Sequence, residues 1–175
     1  MEIIDNGFYL GSSDYGDNLK ILQIFSEKNG IIKGITRHTK SKRFCLLNLD
    51  KIHFSWSSKN KDSLGYINYE LETFSVDGKQ SLIFSLIKAS ASELCLKFLP
   101  SWQKNIEIFE DLKILSNLLK NNFEYILLEY VLWEFKFLKN LGYGLDFSKC
   151  SVSGSLDNIS FLSPKTGNSV CYEVG

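Results

Sequence analysis

The densest group of side chains able to do chemistry is Thr36-Arg37-His38-Thr39-Lys40-Ser41-Lys42-Arg43. Ammonium and guanidinium groups on long stems reach phosphates, and the interleaved hydroxyls add neutral donors. This segment is the centre of a wider run. From Lys28 to Lys61 the bases are Lys28, Lys33, Arg37, Lys40, Lys42, Arg43, Lys51, Lys59 and Lys61, against the single acid Asp50, a net +8. The whole chain has 20 Lys+Arg and 20 Asp+Glu, so the remainder carries −8. Such polarisation favours a polyanion on one side of the molecule. The expected phosphate contacts are Lys33, Arg37, His38, Lys40, Lys42 and Arg43, with Lys59 and Lys61 on a nearby loop. The plain alternative is a solvated surface connection. Aromatics follow at Phe44, Phe54, Trp56, Tyr66 and Tyr69. A few of them can stack bases, although most aromatics in a small β-domain belong to the core.

Catalytic patterns are weak. No HExxH, GxSxG, P-loop or dinucleotide fingerprint occurs. Of the two histidines, His38 sits in the basic segment and His53 on the polar face of a strand. Glu110 and Asp111 are adjacent on a helix and point in different directions, so they form no dyad. Cys45 reads as a buried small hydrophobe. We expect no active site, no cofactor and no enzymatic activity.

The elements that position these residues change period along the chain. Residues 2–12, 18–26, 29–37, 51–57 and 64–75 read as strands, with Ile52, Phe54 and Trp56 alternating against His53, Ser55 and Ser57. Ile67, Tyr69 and Leu71 alternate likewise against Tyr66, Asn68 and Glu70. Five such strands suit a small closed barrel, either an OB-fold or an SH3-like barrel, which periodicity does not separate. After Asp77-Gly78, Leu82, Ile83, Leu86, Ile87 and Leu94 take helical spacing, and Pro100 closes that segment. Residues 105–120 offer a second stripe (Ile108, Phe109, Leu112, Leu115, Leu119). Residues 123–141 offer a third, including Ile126, Leu127, Tyr130, Val131, Phe137 and Leu138, with Gly142 at a left-handed cap. A hairpin over 159–162 and 169–172 follows. The reading is α+β: a five-stranded closed barrel over 1–78, a helical domain over 79–142 and a small terminal hairpin module over 143–175.

With 44% hydrophobic residues the chain can bury a core. Four cysteines without a CxxC fit a reducing compartment rather than a disulfide scaffold. No apolar stretch approaches the roughly 20 residues that span a bilayer, and no secretory signal pattern opens the chain. A cytoplasmic protein with no membrane partner is expected.

Several stretches, in order, resemble the bacterial DNA-repair RecO family. They are Asp5-Asn6-Gly7-Phe8-Tyr9-Leu10, then Tyr15-Gly16-Asp17 (Asp17 where the family usually has Glu), Leu22 to Gly30, Gly34 to Arg43, and Leu64-Gly65-Tyr66 with Glu70. The most specific is late: Leu141-Gly142-Tyr143-Gly144-Leu145-Asp146-Phe147-Ser148-Lys149-Cys150-Ser151-Val152-Ser153-Gly154, followed by Phe161-Leu162-Ser163-Pro164-Lys165 and Gly167. The resemblance implies an N-terminal OB-fold, a central helical domain and a small terminal module. It implies binding of single- and double-stranded DNA, annealing of complementary strands and loading of RecA on DNA coated with single-stranded DNA-binding protein (SSB). The implied partners are RecR, SSB and, indirectly, RecA, with RecF a further candidate and a nucleoid-associated location. The rival reading is a non-enzymatic interaction scaffold whose basic loop binds an acidic protein instead of DNA.

Two departures stand out. Some relatives carry a four-cysteine zinc site as two CxxC pairs, whereas Ser153 and Val174 here occupy the second positions after Cys150 and Cys171. Two thiolates do not make a closed tetrahedral set, so no bound metal is expected and both cysteines read as packing residues. The family also usually continues beyond the position of Gly175 with more helix, which helps form the groove for the SSB tail. A fragment or a short natural chain would both account for this, with exposed apolar surface and weakened partner binding as the expected result.

Overall fold

The computed structural model describes residues 1–37, 46–72, 82–121, 124–144 and 147–175. The chain divides into two compact units, Met1–Ile126 and Leu127–Gly175.

In the first unit, β1 (Glu2–Asp14), β2 (Leu19–Ser26), β3 (Gly30–Arg37), β4 (Lys51–Ser57) and β5 (Gly65–Leu71) close a barrel in the order β1-β2-β3-β5-β4. All pairs are antiparallel except β3–β5, which is parallel. The parallel closure, with β4 returning to β1, selects the OB-fold over the SH3-like alternative. Period-2 alternation places Ile24, Ile32, Ile52, Phe54, Trp56 and Ile67 inside the barrel with Tyr9 and Leu22. His53 stays on the outer face, where its Nδ1 lies 2.8 Å from the Asn6 Oδ1. The last part of residues 64–75 lies outside the described residues, as does Asp77-Gly78.

Two helices join the barrel in this unit, α1 (Leu82–Phe98) and α2 (Ile106–Lys120). Asn105 caps α2 by accepting from the Ile108 N–H at 3.1 Å. The expected α2 stripe is buried in full: Ile108, Phe109, Leu112, Leu115 and Leu119. Its Phe109 ring sits 5.2 Å from Phe8 and 5.3 Å from Phe25, which are cross-strand partners on β1 and β2. Aromatic contact of this kind adds to the area buried.

On α1 the outcome differs from expectation. Leu82, Ile83 and Leu86 are exposed, and the buried face is Ile87, Lys88, Ala91, Ser92 and Cys95. Small side chains let this helix approach the β1 backbone closely, an advantage that a count of large apolar residues misses.

The chain leaving α1 docks on the β2–β3 turn. Trp102 N–H donates to the Ile31 carbonyl at 3.1 Å, and Ile31 bridges Ser101. Gly30 has φ +75, and a Cβ there would strike the Gln103 backbone. The same turn is tied inward by buried Asp5, whose Oδ2 accepts from the Ser26 hydroxyl and, at 2.9 Å, from the Lys28 N–H.

In the second unit, most of α3 (Ile126–Leu138) leads into a wider turn, Lys139–Tyr143, where Gly142 has the left-handed φ of +88 expected of it. Trp133 is buried between Tyr130 and Phe137, at ring distances of 5.9 and 5.2 Å. The expected stripe is only partly internal, since Leu127, Val131 and Leu138 are exposed. The expected hairpin is present as β6 (Ile159–Leu162) and β7 (Ser169–Cys171). No helix of the described residues is long and apolar enough to cross a membrane.

Replacing Gly30 with Ala should destabilise the first unit by more than about 2 kcal/mol, since it combines a left-handed φ with a backbone collision. Urea unfolding followed by tryptophan fluorescence measures this, and an unchanged midpoint would show that the close approach of Gln103 is dispensable.

Candidate nucleic-acid interface

Alternation along β3 sends Ile32 and Gly34 inward and Lys33 and Arg37 outward. Lys33 and Arg37 are exposed. Lys59 and Lys61 are exposed in the β4–β5 turn, residues 58–64. That turn is braced by Asn60, whose Oδ1 accepts from the Ser63 N–H at 2.9 Å. His38, Lys40, Lys42 and Arg43 lie outside the described residues, as does Cys45.

The nine bases of the Lys28–Lys61 run do not share one environment. Lys28 Nζ lies 3.9 Å from Asp5, and Lys51 Nζ lies 3.4 Å from Glu72. These two are locally compensated. Among the described residues, no carboxylate stands within ion-pair distance of Lys33, Arg37, Lys59 or Lys61. Lys61 instead places its ammonium 5.5 Å from the Trp102 ring centre, a cation–π contact that leaves the charge available to an anion. The barrel therefore presents unneutralised cations from β3 and from the β4–β5 turn.

The aromatics divide sharply. Phe54 and Trp56 are core, and Phe44 lies outside the described residues. Tyr66, on the outer face of β5, is 62% exposed. It is the register partner of Ile35 on β3 and of Ser57 on β4. Two clefts flank it: one of about 520 Å³ includes Arg37, and the other of about 740 Å³ includes Lys59.

The stems of the basic segment are anchored. At its far end the Leu47 N–H donates to Asp50 at 2.8 Å, and the Leu49 N–H donates to the Tyr9 carbonyl at 2.8 Å. Asp50 is buried near Lys88 of α1, and burial raises its pKa. The Leu47 N–H, Lys88 and Lys120 act in the opposite sense. Burial likewise lowers the pKa of Lys88, and Asp50 opposes that shift.

Residues 1–75 match the family profile described as Recombination protein O N terminal, and residues 82–174 match Recombination protein O C terminal. The chain belongs to the RecO family. It is 31% identical over 172 residues to the DNA repair protein RecO of Wolbachia pipientis (strain wPip), covering 98% of this chain and 71% of the relative. It is also 31% identical over 179 residues to DNA repair protein RecO of Ehrlichia chaffeensis, at 98% and 70% coverage. The namesake of Bartonella henselae is 27% identical over 176 residues, at 98% and 67%.

The terminal module of this RecO-family chain does not fit a structural zinc ion. Cys150 and Cys171 form a buried cluster with Val170. Ser153 stands where a third sulfur would be, its N–H donating to Cys150 Sγ at 3.4 Å and its hydroxyl 3.3 Å from Cys171 Sγ. Among the described residues no three His, Cys, Asp or Glu side chains are grouped to hold one ion. Hydrogen bonds close the module instead: the Ser169 hydroxyl donates to the Lys149 carbonyl at 2.7 Å, and the Ser151 hydroxyl to the Ser169 carbonyl at 3.0 Å. The Ser153 hydroxyl, then its N–H and that of Cys171, bring the Cys150 thiol down to about 6. In so thin a module burial opposes this only weakly.

Two titrations check these environments. Asp50 has a folded pKa above its unfolded one, so its burial weakens the fold as pH rises through that interval, and the Lys88 ammonium offsets the loss. Lys88→Met should therefore cost more stability near neutrality than in mild acid, by on the order of 1 kcal/mol; equal losses at both would dissociate the two groups. Ser153→Ala should move the Cys150 titration upward from about 6, read by thiolate absorbance, and an unmoved titration would remove Ser153 as its cause.

Proposed function

We propose that this chain is a DNA-binding recombination mediator. In this reading it anneals complementary single strands and helps load RecA on SSB-coated DNA, with RecR and SSB as partners, RecA engaged indirectly and RecF a further candidate. The barrel, residues 1–78, is the part that grips DNA, in a nucleoid-associated cytoplasmic protein. The observation that supports the reading is the outward placement of Lys33, Arg37, Lys59 and Lys61 on an OB barrel, with no carboxylate among the described residues within ion-pair distance of them. The charge run of the intervening residues adds to it.

Annealing demands no bond-making from the protein. Two strands repel through their phosphates, and a cationic surface that holds both lowers that barrier and raises their local concentration. Each neutralised phosphate releases counterions, so affinity falls steeply with salt. Phosphate contacts carry no base information, so sequence preference is small.

Simultaneous replacement of Arg37, Lys40, Lys42 and Arg43 by Ala should abolish most oligonucleotide binding. On single strands it should also reduce the slope of log K against log salt by about 0.7 for each phosphate that the variant no longer neutralises. Unchanged affinity would refute the assignment of this segment. Failure of the unaltered protein to bind DNA even at low salt would favour the scaffold reading, in which the same cations face an acidic protein. Annealing of SSB-coated complementary strands, with and without RecR, then tests the mediator step itself.

A further inference from the structure

The parallel pairing that closes the barrel is short. β3 and β5 pair only at Gly34–Gly65 and Ile35–Tyr66. Beyond these two positions, Thr36 and Arg37 on one edge and Ile67, Asn68 and Tyr69 on the other carry no further ladder pair with each other. The splayed edges line the cleft of about 520 Å³.

Tyr66 stands at the fork. Its ring is outward and 62% exposed, on the face opposite Ile67, which is packed in the core. It borders both clefts, the one with Arg37 and the one with Lys59. Glu2 also lines the second cleft, so the stronger anion-attracting side is that of Arg37. A cation, an exposed ring and a second cation in sequence match a strand with unpaired bases, whose phosphates and bases alternate along the backbone. A duplex would offer the ring nothing, because its bases are stacked on one another.

We infer that the seam between β3 and β5 is a single-strand site in which an unpaired base stacks on Tyr66, with Arg37 and Lys59 holding the adjoining phosphates. The inference rests on the DNA-binding reading above and extends it from phosphate contact to base contact. It selects unpaired over paired DNA without selecting a sequence, since every base has a face to stack.

The test separates the two layers. Fluorescence anisotropy at low salt compares a labelled oligo-dT with an abasic oligonucleotide of the same length and charge. The unaltered full chain should bind oligo-dT about tenfold more tightly, the scale of one stacked base. Tyr66→Ala should bring oligo-dT down to the abasic level while leaving the salt slope unchanged. Tyr66→Phe, which keeps the ring, should retain the discrimination. Equal binding of both oligonucleotides by the unaltered chain, or discrimination that survives in Tyr66→Ala, would overturn the seam site and leave the phosphate reading intact. Binding of neither oligonucleotide would overturn both.

Discussion

Trp56 is the side chain on which the geometry of this barrel turns. It is fully buried, donates its indole N–H to the Lys33 carbonyl at 3.1 Å and meets Trp102 edge-on at 4.7 Å. Its ring also occupies the space that a Cβ at Gly65 would need. One residue of β4 thereby fixes β3, the start of β5 and the segment leaving α1. The outward residues depend on it. Lys33 owns the accepting carbonyl, Tyr66 follows Gly65 and Lys61 rests over Trp102. An indole N–H buried without an acceptor would cost about 1–3 kcal/mol, so this bond stabilises the strand that carries the cations.

Electrostatics then sorts the basic run. Lys28 and Lys51 are held near carboxylates, while those on β3 and in the β4–β5 turn face solvent without a partner of that kind among the described residues. Exposed ion pairs contribute little to stability, so the pattern matters for the field outside the molecule more than for the fold. The buried Asp50–Lys88 neighbourhood works in the other direction. It places opposite charges at the junction of α1 with the 47–50 turn, where removing either would strand the other in a desolvated site.

The terminal module is held together around its two cysteines by hydrogen bonds. Serines at 151, 153 and 169 supply directional bonds to carbonyls and sulfur.

Much of the architecture was legible in the residue pattern because burial has the period of the element. The inward set Ile52, Phe54, Trp56, Ile67 and the α2 stripe follow directly from alternation and from 3.6-residue spacing. The lopsided charge, the serine and valine in place of two cysteines, and the family resemblance were equally plain. Periodicity was silent on which strand meets which, so OB and SH3-like barrels were indistinguishable until the β3–β5 pairing was seen. It also misjudged α1, where close approach favours Ala91, Ser92 and Cys95 over larger neighbours. A cation's neutralisation, and the choice of Tyr66 over Trp56 as the exposed ring, depend on residues distant in the chain. Local sequence determines what the barrel strands and α2 bury; only the closed barrel decides what is left uncovered at its seam.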